Sequence, residues 1–326
     1  MILYHAISSY QILCTITHKL LFYPHCKAIL ILPDFITEKY PQYMKLVELG
    51  IFDEVYLFPY LQIGHDKAHV SKRTSYYYSL LIPHDLNEFE DIFIAGAHFY
   101  FSLCLIDSKV RFHFFEDAPG MIHKSNILYN NLKKAYPTNA FIAHENKMFD
   151  GNNPLVIDIY CRSAGNCNKT YKEFLLTKWL KTLRRTNQKK ILSFFGLDYI
   201  KTKKNSIVLL TQQFSNLGIM TYMQQKDLIE ILVAKLLHYG NVIIKRHPDD
   251  KVQYDFPSDT LIISIPFPAE LLPLVFKPAP QSIVTISSTA IEELKGAFKN
   301  TFSFADVYSD IYSYDDEYTS MMNIIK

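Results

Sequence analysis

Glycine is scarce in this chain: 10 residues of 326, against 23 tyrosines and 23 phenylalanines. That balance argues against a disordered polymer. The five cysteines, Cys14, Cys26, Cys104, Cys161 and Cys167, are odd in number and form no Cys-x-x-Cys pair. Scattered thiols of this kind fit a reducing cytosol better than a disulfide framework. A net charge of +2 is too small to imply a nucleic-acid partner. No stretch reaches the roughly 18 apolar residues of a membrane span. The segment from Met1 to Ile7 is strand-length and lacks the basic start and apolar core of a leader. A cytoplasmic protein is therefore expected. No Asp-x-Asp occurs anywhere, so nothing suggests a metal clamp and no metal or other cofactor is expected.

What is present is ample apolar material, 49% of the chain, in a length that suggests two domains. Short β-branched runs alternate with helical spacing through the first third: Met1–Ile7, Ala28–Leu32, Glu54–Phe58, Asp91–Ala95 and Val110–Phe115 read as strands. Between them, Tyr10–Phe22, Tyr40–Leu49 and His98–Leu105 read as helices, the first capped by Ser8-Ser9. This alternation predicts a parallel, doubly wound sheet. The pattern weakens from Met121 to Asn205, where Val156–Tyr160 reads as a sixth strand and Tyr171–Arg185 as a helix carrying the single Trp179. A basic cluster follows, with Lys181, Arg184, Arg185, Lys189, Lys190, Lys201, Lys203 and Lys204. It reads as a solvated face or as a hold on the anionic inner leaflet, at roughly 1 kcal/mol per well-placed cation. The grammar then resumes with strands at Ile207–Thr211, Val242–Lys245, Leu261–Ser264 and Ile283–Ile286. Helices are expected at Gln225–His238, Ala269–Phe276 and Ala290–Phe298. The expected division is a Rossmann-like half at 1–155, a helical basic connection at 156–204 and a second Rossmann-like half at 205–326. The last helix is expected to pack back on the first half. His65 and His69 sit in a polar loop without a nearby carboxylate or cysteine and are read as solvent-facing rather than metal-binding.

Three strand ends carry chemistry that a plain loop would not need. Glu116-Asp117 follows an apolar strand and precedes a turn at Pro119-Gly120, placing a carboxylate where it can accept a hydroxyl proton. Lys245-Arg246-His247-Pro248 closes the run Val242-Ile243-Ile244; Pro248 stops the strand and leaves an imidazole and two cations where open α/β sheets bind ligands. Ser287-Ser288-Thr289 opens a helix, with Thr289 and Glu292 in the spacing of a capping box, and free N–H groups there suit a phosphate. Thr211 and Gln212, at the end of the strand Ile207–Thr211, complete the set of candidate donor contacts. Glu270, near the start of a short helix, is placed to take the two hydroxyls of a ribose. Anion site, diol acceptor and an opposing base describe a nucleotide-sugar glycosyltransferase of the GT-B type, with two parallel sheets facing across a cleft.

The segments FFEDAPG, KRHPDD and ISSTAIEEL, in this order and with PAELL between the last two, resemble the bacterial sialyltransferases of glycosyltransferase families 52, 80 and 38. Size points most to family 52, whose members serve lipooligosaccharide or capsule synthesis. Here Ala118-Pro119 separates Asp117 from Gly120, where the family places Gly next, and Glu116 stays open as an alternative base. The resemblance implies CMP-sialic acid as donor, a glycan acceptor, inversion at the anomeric carbon, Asp117 as base and His247 assisting the phosphate leaving group. Lys245, Arg246, Pro248, Glu270, Ser287, Ser288, Thr289, Thr211 and Gln212 would line the donor site. A homodimer is implied by the resemblance alone. Rival readings are a CMP-Kdo or CDP-polyol transferase on the same scaffold, an epimerase requiring a UDP site, and a non-catalytic nucleotide-binding protein of capsule assembly.

Overall fold

The computed structural model describes residues 1–63, 69–117, 120–163 and 170–304. They form two compact units, Met1–Phe194 and Phe195 onward. Residues 305–326, expected to be helical, lie outside the described set, as does His65; His69 precedes the helix Val70–Leu81. No helix among the described residues is long and apolar enough to cross a membrane.

In the first unit seven parallel strands form one sheet: β1 (Ile2–His5), β2 (Ala28–Pro33), β3 (Glu54–Phe58), β4 (Asp91–Ile94), β5 (Phe112–Phe115), β6 (Val156–Cys161) and β7 (Tyr171–Glu173). Their order is β3-β2-β1-β4-β5-β6-β7. Side chains alternate between the two faces of each strand. Leu3, Ile29, Ile31, Ile92, Ile94, Phe112, Phe114 and Ile159 join one core that also takes in the helices Val70–Leu81 and Tyr100–Asp107. On the opposite side of the strands, Phe93, Phe115 and Tyr160 gather round His18 of the helix Ser9–Phe22. Burial pushes the His18 imidazole down to about 3, so it packs there as a neutral aromatic. Ser8 caps this helix as expected, accepting the Gln11 N–H at 3.3 Å.

The segment expected to be a connection belongs largely to this unit. β6 and β7 extend the sheet, and Tyr171–Glu173 is a strand rather than the start of a helix. Pairing with β6 overrides local propensity, and the Lys172 ammonium lies 2.8 Å from Asp158. The helix begins at Leu176, and a second, Arg185–Phe194, completes the unit. Tyr40–Leu49 is not one helix: Pro41 interrupts it, and only Ile36–Lys39 and Lys45–Glu48 are helical. No helix is expected from the sequence between Glu54–Phe58 and Asp91–Ala95, yet Val70–Leu81 forms one, burying only Val70, Thr74 and Tyr78.

The second unit is a five-stranded parallel sheet beside a two-stranded one. Its strands are β8 (Ile200–Lys201), β9 (Ile207–Leu210), β10 (Val242–Lys245), β11 (Leu261–Ile263), β12 (Phe276–Lys277), β13 (Ser282–Thr285) and β14 (Asn300–Ser303). The large sheet has the order β11-β10-β9-β13-β14, and β12 pairs with β8. The helix Tyr222–Leu237 packs Leu228, Ile229, Leu232 and Val233 on Leu209, Ile244 and Val284. Its start is fixed by a capping box in which Thr221 and Gln224 each accept the other's backbone N–H.

One polar cluster sits near the amino ends of the first sheet. His113 places Nδ1 2.5 Å from Asp158 and Nε2 3.0 Å from Asp91, and Tyr23 donates to Asp91 at 2.7 Å. Burial opposes the Asp158 charge, but His113 and Lys172 outweigh it and hold the carboxyl below its ordinary 3.8. Stabilisation from Asp158 is therefore present above that value and lost as pH falls through the lower, folded one. We expect Asp158→Asn to cost about 2 kcal/mol in denaturant melts at neutral pH. The gap from wild type should close on acidification past 3.8.

Candidate active site

Parallel strands deliver their carboxyl ends to one rim of each sheet, and ligands of open α/β sheets bind there, at the point where strand order reverses. In the first unit that point lies between β1 and β4. The loop after β4 turns at Gly96, whose φ of +89° favours glycine. A Cβ there would approach Ile7 Cδ1 to 2.8 Å. The Gly96 and Ala97 N–H groups donate to Asp117 Oδ1, at 2.8 and 3.3 Å. Among the described residues Oδ2 accepts nothing. His5 at the end of β1 donates from Nδ1 to the Ala95 carbonyl at 3.1 Å, and burial pushes its pKa down to about 3, so it holds this loop as a neutral group. Gln11 straps the arrangement from the first helix, donating to the Asp117 carbonyl at 3.3 Å and accepting from Ile7 at 2.9 Å.

Burial raises the Asp117 carboxyl to about 6, even though the two backbone donors favour its charge. A carboxyl in that range is ionised near neutrality yet basic enough to take a proton from a hydroxyl. Glu116, the alternative base, is placed differently. It is buried, and its two oxygens accept the N–H groups of Gly120 at 3.0 Å and Arg162 at 2.7 Å, tying the turn after β5 to the end of β6. That spends its oxygens on backbone.

In the second unit Leu210, Lys245 and Thr285 stand level in the register of β9, β10 and β13. Thr211, His247 and the Ser287–Thr289 turn thus leave the sheet at one rim. The Asp249 N–H donates to His247 Nδ1 at 3.1 Å. Since an amide can only donate, the neutral ring carries its hydrogen on Nε2. The His247 N–H donates to Thr211 Oγ1 at 3.0 Å, and that hydroxyl donates to Asp250 Oδ2 at 2.7 Å. Gln212 bonds back to the Thr211 carbonyl at 2.9 Å.

Asp250 was not singled out by sequence reasoning and is the hub of this rim. Besides Thr211 it accepts Gln225 Nε2 at 3.0 Å, Tyr254 Oη at 3.0 Å and the Val252 N–H at 3.2 Å. Its only signal was the second position of the Asp-Asp doublet after His-Pro. Arg246, expected to face a phosphate, instead donates to the carbonyls of Asp250 at 2.5 Å and Val252 at 2.7 Å and lies over the Tyr254 ring.

Lys245 and Glu270 depart further from expectation. Lys245 is 3% exposed, donates to the Arg246 carbonyl at 2.7 Å and stands 4.3 Å from the centre of the Phe267 ring. Burial pushes its pKa down to about 7. Glu270, expected to take a ribose, is 4% exposed, and burial pushes its carboxyl up to about 8. Each eases the other's charge inside the unit rather than on its surface. The capping box expected at Thr289 and Glu292 does not form. Thr289 already has helical φ and makes no cap bond, because the turn begins earlier with the Ile291 N–H on the Ser288 carbonyl. Thr285 Oγ1 accepts the Ser288 N–H at 3.1 Å instead, and Glu292 pairs with Lys295 at 2.5 Å. The hydroxyls of Ser287, Ser288 and Thr289 have no partner among the described residues. No group of three or more metal-ligating side chains occurs among the described residues.

Two Rossmann-like units with all-parallel sheets define the GT-B class of fold, and comparison with solved structures agrees. A UDP-GlcNAc 2-epimerase of Methanocaldococcus jannaschii, in complex with UDP-GlcNAc and UDP, superposes with a TM-score of 0.55 at 11% identity, over 100% of this chain and 92% of that one. The S. aureus MnaA–UDP structure gives 0.52 at 10% over 98% and 90%, and the spinosyn forosaminyltransferase SpnP 0.53 at 10% over 95% and 83%. At such identities these likenesses concern fold. No curated protein matches the sequence. The model of glycosyltransferase family 52 matches residues 60–300, and the chain belongs to that family.

Two variants test the rim. Asp250→Ala leaves Thr211, Gln225 and Tyr254 without their common carboxylate acceptor and should cost about 3 kcal/mol in chemical denaturation. Asp117→Asn keeps the acceptor of Gly96 and Ala97 but removes a charge that folding disfavours. Because the folded carboxyl titrates above its unfolded value, the penalty is absent below about 3.8 and grows as pH rises through about 6. The variant should therefore melt higher than wild type at neutral pH and match it in acid.

Proposed function

We propose that this family 52 glycosyltransferase moves sialic acid from CMP-sialic acid to a hydroxyl of a lipooligosaccharide or capsule glycan, with inversion and without a metal. The observation that carries the reading is Asp117: a carboxyl at a strand end, held on one oxygen by two backbone donors and raised to about 6. Family membership supplies the reaction class, and an epimerase that shares the fold is known in complex with the nucleotide sugar UDP-GlcNAc.

In this mechanism Asp117 Oδ2 accepts the proton of the attacking hydroxyl as its oxygen bonds to the anomeric carbon. The bond from that carbon to the CMP phosphate breaks, and negative charge grows on the phosphate. His247 meets that charge from Nε2–H. Its neutral form can already donate, and Nδ1 stays occupied by the Asp249 N–H, so protonation is not a prerequisite. Ser287, Ser288 and Thr289 supply hydroxyls beside it. Each preorganised donor of this kind contributes about 10²–10³ in rate. Thr211, Gln212, Arg246, Lys245 and Pro248 act one step back: they fix the backbone on which His247 stands.

Incubation with CMP-sialic acid, CMP-Kdo, CDP-glycerol and UDP-GlcNAc, followed by nucleotide release, tests the donor. CMP should be released from the first and depend on a glycan acceptor. Release from CMP-Kdo or CDP-glycerol alone would move the enzyme to those substrates, and conversion of UDP-GlcNAc alone would favour epimerisation. Asp117→Asn should lose turnover at least about 10³-fold while still binding CMP, and His247→Ala should weaken both. kcat/KM should rise with pH through about 6 as Asp117 ionises. EDTA should leave the rate unchanged; loss of activity with rescue by Mn²⁺ would refute metal independence.

A further inference from the structure

The last two helices of the first unit, Leu176–Thr182 and Arg185–Phe194, bury Leu176, Leu180, Ile191, Leu192 and Phe194 and turn cations outward. Lys178, Lys181, Arg184, Arg185 and Lys189 are all exposed. Not one Asp or Glu occurs between Glu173 and Asp198. No ion pair among the described residues involves these five cations. Elsewhere Lys172, Lys226 and Lys295 each pair with a carboxylate. Lys178 and Lys181 are three apart on one helix, and Arg185 and Lys189 four apart on the next, spacings at which like charges face and repel one another. A merely solvated surface would gain by interleaving acids.

A hydrogen bond from Gln188 Nε2 to the Leu180 carbonyl, 3.0 Å, ties the two helices, so the cations share one structural element. Beside them, Phe22 is 45% exposed at the end of the first helix and meets the half-buried Trp179 edge-on at 5.3 Å. That first helix starts at the strand-end rim, at Ser9, and runs to the opposite edge of the sheet at Phe22. The aromatic pair is thus remote from the loops that hold Asp117.

We propose that this face docks on an anionic phospholipid surface, with the cations on lipid headgroups and Phe22 and Trp179 at the interface. Charge complementarity selects the partner: a dense basic face on a chain whose net charge is only +2 concentrates attraction in one place. Exposed aromatics beside it are the side chains that settle at a membrane–water boundary. A nucleic-acid duplex, with its bases stacked inside, would use the charges but leave the aromatic edge without purpose. Docked this way, the protein keeps the rim at Asp117 clear of the lipid. The inference does not depend on the identity of the donor sugar.

Trp179 is the single tryptophan and reports directly. The intact protein is mixed with phosphatidylglycerol–phosphatidylcholine vesicles and with pure phosphatidylcholine vesicles, and both sedimentation and Trp emission are read. The expected result is co-sedimentation and a blue shift with the anionic vesicles only, both reversed by high salt. Replacing all five exposed cations by glutamine (Lys178, Lys181, Arg184, Arg185 and Lys189) should weaken vesicle binding at least about tenfold. Melting temperature should not fall, since the substitutions relieve like-charge repulsion, and nucleotide release with a soluble acceptor should not change. Absence of binding, equal binding by the variant, or displacement from vesicles by an oligonucleotide at lower charge concentration would each overturn the proposal. Because binding is read without donor, failure here is separate from failure of the sugar-transfer reading.

Discussion

A parallel strand can be followed by another only after the chain has crossed back over the sheet, and all of the paired strands here are parallel. Every β-to-helix turn of a sheet is thereby driven to the same rim. This single constraint brings Gly96 beside Asp117, from strands β4 and β5, and sets Thr211, His247 and Ser288 at a common level. With hairpins in place of crossovers, the same motifs would have been scattered over two edges.

The chemistry at each rim rests on burying polar groups and then satisfying them. Asp117 is held by two amides on one oxygen, which fixes its direction while burial keeps its basicity high. The second unit treats His247 similarly but at one remove. Asp250 takes the Thr211 hydroxyl, Thr211 takes the His247 N–H, and the Asp249 amide selects the ring tautomer. Arg246 pins the following turn through two carbonyls. A residue that would be mobile on an ordinary loop becomes directed, and what that direction costs is borne by a buried carboxylate rather than by a ligand.

Much of this was readable beforehand where local chemistry is unambiguous. Pro248 had to end a strand, and the β-branched run before it had to be buried, so the place of His247 in the fold followed. Asp117 at the end of β5 followed in the same way. What eluded reading depended on distant partners. Tyr171–Glu173 became a strand because β6 offered an edge, and the helix Val70–Leu81 was obscured by exposed tyrosines. Thr289 has the right neighbour for a capping box yet the wrong backbone, since the turn starts one residue sooner. Lys245 and Glu270 look like surface contacts in one dimension and are interior neighbours in three.

Residue order by itself determined the alternation of buried strands and crossover helices, hence two parallel sheets, and the assignment of His, Ser and carboxylate groups to strand ends. It could do so because strand termini and proline stops are local properties of the backbone. Only the tertiary structure decided which of those groups face outward. Whether Glu116 or Asp117 keeps an oxygen unspent, whether Arg246 meets solvent or a carbonyl, and whether Lys245 stays in water depend on amides and rings contributed from far along the chain. Burial and hydrogen-bond satisfaction are sums over neighbours, and neighbours exist only once the chain has folded.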